Sequence, residues 1–229
     1  MSDKELQKEI AARAALADIE TDQVLGIGSG STVEYFIKLL REEMLTKNLK
    51  IMAVPTSYQT AFLLIQNGIP LTTLNEHPEL DIAIDGADEI DAVLNLIKGG
   101  GAALTQEKIV DSMAKKFIII ADESKNVKKL GEKMPIPIEV LPMALACVNK
   151  RLKTYSHEFK LREAVKKLGP VITDNGNFII DAKITDIKNP KQLAYEIKGI
   201  PGVIETGLFI EMADIAYIGT KTGLKKLVR

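Results

Sequence analysis

Between Leu80 and Lys108 the chain reads LDIAIDGADEIDAVLNLIKGGGAALTQEK, and the side chains best suited to acid–base chemistry are collected there. Asp85 and Asp88 end an apolar run, Leu80 to Ile84, that has the length and residue types of a buried strand. Two carboxylates at a strand exit suit hydrogen bonding to sugar hydroxyls or a shared proton. They also suit a solvated Asp-Gly turn. Lys98 precedes three consecutive glycines, Gly99, Gly100 and Gly101. A bare backbone is costly to order, so it implies close approach of another group, and the lysine beside it can neutralise a phosphate or a developing oxyanion. The other reading is a flexible loop with a surface lysine. Glu107 follows in the first turn of an expected helix, where the dipole alone favours an acid and lowers its pKa, which weakens a base unless partial burial pushes the other way. Glu89 and Asp91 read as a solvated face or a helix start.

A second glycine turn, Gly28-Ser29-Gly30-Ser31-Thr32, lies between an expected strand and helix. Its backbone N–H groups and the hydroxyls of Ser31 and Thr32 could hold a phosphate, or the turn could simply pack helix on strand. It is neither a Walker loop nor the dinucleotide fingerprint. Lys125 closes a further strand exit and is as readily a surface residue. His77 and His157, the two histidines of the chain, receive no chemical role.

A series of alternating segments carries these residues. An amphipathic helix is expected over 3–19, with Leu6, Ile10, Ala14 and Ala17 on one face. Gln23 to Ile27 is a strand, and Val33 to Leu45 a helix. Ile51 to Val54 is a strand ending in Pro55-Thr56-Ser57, and Ser57 caps the next helix. Residues 69–74 suggest a short strand, a helix runs from about Gln106 to Lys116, and Phe117 to Ala121 is a β-branched strand before Asp122-Glu123-Ser124-Lys125. The alternation predicts a Rossmann-like α/β fold, a parallel sheet with helices on both faces. Ligands of such sheets bind outside the carboxyl ends of the strands. GSGST, PTS, DGAD and DESK all fall at such ends.

From about Gly131 the texture changes. Proline-punctuated extended chain is followed by a helical region near 143–168, interrupted at 154–156, then a hairpin pairing Val171–Thr173 with Phe178–Asp181, a helix near 190–198 and extended chain over 203–210. This order, βαββαβ, predicts an inserted, ferredoxin-like α+β domain. The expected division is 1–130 with 208–229 for the sheet domain, to which Ala213 to Gly219 returns as a strand, and 131–207 for the insertion.

Composition excludes several classes. With 229 residues, 46% hydrophobic and 27% charged, the chain can build a large core unaided. A net charge of -1 gives no basic face for nucleic acid. One cysteine and two histidines leave no disulfide and little for a metal centre. No apolar run reaches the ~20 residues of a membrane span. The opening MSDKELQKEIAARAAL lacks the apolar core of a signal peptide, so a reducing cytoplasm is expected.

Taken together, GIGSGSTVEYFI, VPTSYQ, DGADEID, KGGGAALTQEKI, ADESK, PIPIEVLPMA, TDNGNFIID and PGVIETGLF resemble, in order and over nearly the whole chain, the segments of the ribose-5-phosphate isomerase A family. The pairing of DGAD with KGGGAAL is the most specific part. The resemblance implies interconversion of D-ribose 5-phosphate and D-ribulose 5-phosphate through a cis-enediolate, in the non-oxidative pentose phosphate pathway, with no metal or organic cofactor. It implies that Glu107 is the base, that Asp85 and Asp88 bind hydroxyls and assist ring opening, and that Lys98 stabilises the enediolate oxygens. Ser29, Gly30, Ser31 and Thr32 would bind substrate at its phosphate. Gly86, Ala87, Gly99, Gly100, Gly101 and Lys125 would line the same pocket, with Lys8 a further phosphate contact. A homodimer or homotetramer joined through the inserted domain is also implied. Two other readings fit parts of the pattern. A sugar-phosphate sensor would require a DNA-binding helix-turn-helix, and no basic recognition helix precedes residue 20. An acyl-CoA transferase would use Glu107 as a nucleophile and need a larger cleft.

Overall fold

A computed structural model describes residues 2–156 and 158–229, so His157 lies outside the described residues. In chain order the elements are α1 (Asp3–Leu16), β1 (Gln23–Ile27), α2 (Ser31–Lys47), β2 (Ile51–Pro55), α3 (Tyr58–Gln66), β3 (Leu80–Asp85), β4 (Glu89–Ile90), β5 (Leu96–Ile97), α4 (Leu104–Ser112) and β6 (Ala114–Asp122). There follow β7 (Ile136–Val140), α5 (Leu145–Leu152), β8 (Phe159–Leu161), β9 (Phe178–Ala182), α6 (Pro190–Lys198), β10 (Val203–Thr206), β11 (Leu208–Phe209), β12 (Ile215–Thr220) and β13 (Gly223–Val228). The chain divides into two compact units, one of Met1–Ala87, Gln106–Asn126 and Met212–Arg229, the other of Asp88–Thr105 and Val127–Glu211. These bounds differ from the sequence reading chiefly in 88–105. That segment leaves the large sheet because β4 pairs with β5 and β5 with β11 in a separate three-stranded sheet.

The first unit is the expected α/β sheet, in the order β13-β12-β6-β3-β1-β2. Every neighbouring pair is parallel except β12 with β13, a hairpin edge that the sequence reading did not include. The inner strands are buried over most of their length, with β6 buried from Phe117 to Asp122, as parallel strands covered on both faces are. One cluster joins Ile27, Ile84, Ile118 and Ile120 to Phe36, Ile37 and Leu40 of α2 and Leu64 of α3. A smaller one sets Val110 of α4 against Val24, Val54 and Leu80. Helix α1 buries Ala11, Ala12 and Ala15 and leaves Leu6 49% exposed, so its inner face is not the one expected. The reason is close approach. A Cβ on Gly219 of β12 would lie 1.8 Å from the Gln7 carbonyl oxygen, and only small residues fit where helix and strand backbones come so near. Residues 69–74 contribute a single bridge, Leu71 to Ala53, in place of a strand.

The second unit contains the βαββαβ order, β7-α5-β8-β9-α6-β10, as a four-stranded antiparallel sheet in the order β10-β7-β9-β8. This is the ferredoxin-like arrangement. Its core gathers Ile136, Ile138, Val140, Val148, Leu152, Ile180 and Ile197. The expected long helix stops at Leu152, and the strand that pairs with β9 is β8, not Val171–Thr173. Thr173 instead closes a turn: its backbone N–H donates to the Asn177 carbonyl (2.9 Å), and its hydroxyl donates to Glu139 (2.8 Å) and accepts the Asn177 N–H (3.1 Å).

Candidate active site

In the first unit the strand order decides which motifs become neighbours. Reading β2, β1, β3, β6 along the sheet, the carboxyl ends carry Thr56-Ser57, Gly28–Thr32, Asp85–Ala87 and Asp122–Lys125 in turn. Each motif thus stands beside the next at one rim, where ligands of parallel sheets bind.

The glycine turn and Asp85 are built as one piece. Asp85 is fully buried, and its Oδ1 accepts the N–H groups of Ser29 (3.1 Å) and Gly86 (2.6 Å). Position 28 must be glycine, because a Cβ there would lie 1.9 Å from the Asp85 carboxyl carbon. Gly30 has φ +109°, a conformation open to glycine, and forms the N-cap of α2 without a side-chain hydrogen bond. The first-turn N–H groups of α2 therefore face the rim with the positive end of the helix dipole. The Lys8 ammonium reaches the same turn and donates to the Ser31 hydroxyl at 2.7 Å. This end of α2 has what an anion needs: backbone donors, hydroxyls and a cation.

Sequence reasoning missed the hydroxyl cluster beneath it. Ser29 Oγ lies 3.0 Å from Thr56 Oγ1, 2.8 Å from Ser57 Oγ and 3.2 Å from Thr60 Oγ1, while Thr60 donates to the Gly28 carbonyl at 2.7 Å. Ser57, expected at the Pro55-Thr56-Ser57 strand end and as the N-cap of α3, is that cap. The adjacency of β1 and β2, not any local spacing, turns the cap into a support for the glycine loop.

Glu107 is only 5% exposed, in the first turn of α4. The far end of that helix is fixed: the Met113 carbonyl accepts the N–H of Leu80 at the start of β3 (2.9 Å), and Val110 packs against Gly26 and Leu80. A crossover helix runs against its strands. The end that bears Glu107 consequently points to the carboxyl rim. Asp111, one turn further on, is also buried at 2% and was overlooked, although its four-residue spacing from Glu107 was there to be read. Lys125 ends a short 3₁₀ turn anchored by Asp122, whose Oδ1 accepts both donors of Ser124, and by Gln7, whose amide donates to Glu123 at 2.8 Å.

The second unit holds the remaining residues. Asp88 Oδ2 accepts the Gly100 N–H at 2.7 Å, and a Cβ at Gly100 would come within 2.8 Å of Asp88 Oδ1. Gly99 has φ +106°, and a Cβ there would meet Leu104 at 2.9 Å. Gly101 has open space around it. Lys98 is 2% exposed, bonded through its N–H to the Gly207 carbonyl (2.9 Å), with its ammonium 5.3 Å from the centre of the Phe209 ring. Thr105, just before the helical turn of Glu107, donates to the buried Glu139 at 2.5 Å. Glu89, expected on a solvated face, is fully buried and accepts the N–H groups of Gly131, Lys133 and Met134. It staples a loop. His77 stays in a polar loop. Among the described residues, no group of three or more His, Cys, Asp or Glu is arranged to hold a metal, and no helix is long and apolar enough to cross a membrane.

Residues 52–223 match the family model of ribose 5-phosphate isomerase A (phosphoriboisomerase A). Ribose-5-phosphate isomerase A of Pyrococcus abyssi is 52% identical over 226 residues, covering 98% of this chain and 99% of the relative. The human ribose-5-phosphate isomerase is 48% identical over 227 residues, covering 97% of this chain and 73% of the relative. A solved structure of a D-ribose-5-phosphate isomerase in complex with phospho-erythronic acid is 50% identical and superposes with a TM-score of 0.97 over the whole of both chains. Ribose 5-phosphate isomerase A of Methanocaldococcus jannaschii gives 0.93 at 45% identity, over 97% of this chain and 98% of the other. With the glycine turn, the aspartates, the lysine and the glutamate all in their expected elements, this chain belongs to the ribose 5-phosphate isomerase A family.

Proposed function

We propose that the chain is a ribose-5-phosphate isomerase, interconverting D-ribose 5-phosphate and D-ribulose 5-phosphate by proton transfer through a cis-enediolate. The observation that carries the mechanism is Glu107: a carboxylate, 5% exposed, on a helix end directed to the rim that also bears Asp85 and the glycine turn. Glu107 removes the proton from the carbon beside the carbonyl and returns it to the neighbouring carbon. A carboxylate does this when charge on the carbonyl oxygen is stabilised as it develops. Lys98 supplies that positive charge, Asp85 and Asp88 hold substrate hydroxyls and assist ring opening, and the α2 N-terminus with Lys8 takes the phosphate. Gly86, Ala87, Gly99, Gly100, Gly101 and Lys125 are the further substrate contacts of the proposal. No step requires a metal or an organic cofactor.

The test is ribose 5-phosphate incubated with the protein in D2O and EDTA and followed by proton NMR. Ribulose 5-phosphate with deuterium at the transferred position is the expected result. Binding without turnover would replace the isomerase with a sugar-phosphate sensor, and neither binding nor turnover would refute the substrate.

The protein is further proposed to act in the cytoplasm as a homodimer or homotetramer with the second unit as its contact. Met143, Val165, Leu168 and Tyr195 of that unit are 92, 87, 98 and 78% exposed, an apolar load that burial between copies would relieve. Light scattering at the 25.1 kDa monomer mass would contradict this.

A further inference from the structure

The loop Lys98–Gly101 has almost no side chains by which the fold could fix it, and a run of glycines left to itself samples many conformations. Within the second unit its backbone is instead gripped by charge. The Arg162 Nη1 donates to the carbonyls of Gly99 (2.8 Å) and Gly100 (3.0 Å). The rest of the guanidinium is held by Asp181 of β9, with Nε to Oδ2 at 2.9 Å and Nη2 to Oδ1 at 2.5 Å. Both side chains are largely buried, at 17% and 10% exposure. From the other side the Asp88 carboxylate takes the Gly100 N–H. One glycine thus has its N–H and its C=O each bonded to a charged partner.

We infer that Arg162, oriented by Asp181, is a positioning residue of the isomerase, which sets the conformation of the Lys98–Gly101 loop and with it the placement of the Lys98 ammonium and the Asp88 carboxylate. The inference rests on the proposed roles of Lys98 and Asp88. A planar fork is required because one group must meet a carboxylate edge-on and still reach two carbonyls; an ammonium cannot span them. A displacement of order 1 Å at a reacting group costs about 10²-fold in rate.

The experiment compares Arg162→Ala, Arg162→Lys and Asp181→Asn with Lys98→Met and with Ile180→Val. Ile180 is a fully buried core residue beside Asp181, and its variant is a stability control that leaves Arg162 and Asp181 in place. Expected are a kcat lower by roughly 10- to 10²-fold in Arg162→Ala with a smaller change in KM, little recovery in Arg162→Lys, and partial rescue of Arg162→Ala by guanidinium ion but not by sodium ion. Ile180→Val should lose thermal stability and keep its kcat. Wild-type kcat in folded Arg162→Ala or Arg162→Lys, with Lys98→Met inactive, would overturn the inference and leave the active-site reading intact. Wild-type kcat in Lys98→Met would overturn both. If Arg162→Ala does not fold, Asp181→Asn and Arg162→Lys decide the matter by the same split between kcat and KM.

Discussion

Replacing Gly28 by alanine adds one methyl group and should disable Asp85 without touching its chemistry. The added Cβ would sit 1.9 Å from both the carboxyl carbon and Oδ1 of Asp85, and 2.5 Å from its Cβ. Ordinary carbon contacts begin near ~3.5 Å, so the carboxylate or the β1 exit must move by about 1.5 Å. Asp85 has no spare room, being fully buried, and its Oδ1 bonds to Ser29 and Gly86 depend on its present position. Overpacking costs about 1–3 kcal/mol, and each stretched bond to a carboxylate about 1.5–3 kcal/mol more when lost. A destabilisation of roughly 3 kcal/mol or above is expected, with a loss of about 10²-fold in kcat/KM from misplacement of the acid. The comparison is Gly26→Ala on the same strand. There the new Cβ would meet the Val110 side chain at 2.7 Å, and no atom of Asp85 is among its near neighbours. Thermal unfolding and steady-state isomerisation, measured on both variants, separate the effects: both should lose stability, and Gly28→Ala alone should lose most of its turnover. A folded Gly28→Ala enzyme with wild-type kcat/KM would refute the argument that this close contact fixes a working Asp85.

Glu107→Gln keeps shape and removes the base, so kcat should fall by about 10²–10⁴-fold with a smaller change in KM; wild-type turnover in the folded variant would sink the assignment. Glu139→Ala should destabilise the second unit by several kcal/mol, about 1–3 kcal/mol for each stranded donor, because Thr105, Thr173, Asn175 and Asn177 all donate to that buried carboxylate; urea unfolding reads this directly, and Glu139→Gln should lose less. Burial, reinforced by the 2.7 Å bond to Asp18, pushes the Tyr217 hydroxyl up to about 12. The neutral phenol is the form favoured in the folded state. Its stabilisation is therefore complete below the ordinary tyrosine value near ~10 and disappears as pH rises from there through about 12. Unfolding curves of wild type and Tyr217→Phe should converge over that range, and parallel curves would contradict the linkage.

Much of the site was readable in the sequence because its residues lie at element ends, and ends announce themselves. Asp85-Gly86, Lys98 before three glycines, and Gly28–Thr32 all interrupt apolar runs, so their places at strand exits follow from local pattern alone. The alternation of strands and helices fixed the α/β class in the same way, and the βαββαβ order of the insertion survived even where its elements were misplaced. The long helix expected to 168 was too long: the spacing of two between Phe159 and Leu161 is that of a strand, and pairing with β9 realises it. The inner face of α1 was misjudged because larger apolar residues were taken to point inward, whereas the close approach of the helix backbone at Gln7 to Gly219 favours the small residues Ala11, Ala12 and Ala15.

What the sequence determined by itself was therefore the candidate groups, the fold class and the family, each carried by short segments whose meaning is local. Tertiary structure decided which groups are buried and what holds them. The glycine at position 28 is explained by Asp85, 57 residues away, and the oxygen of Ser29 by three hydroxyls of the neighbouring strand end. Glu89 changed from a surface acid to a buried staple, and Arg162 came to the Gly99 and Gly100 carbonyls across more than 60 residues of chain. Hydrogen bonds and burial depend on distance in space, and a chain sets that distance only when it folds.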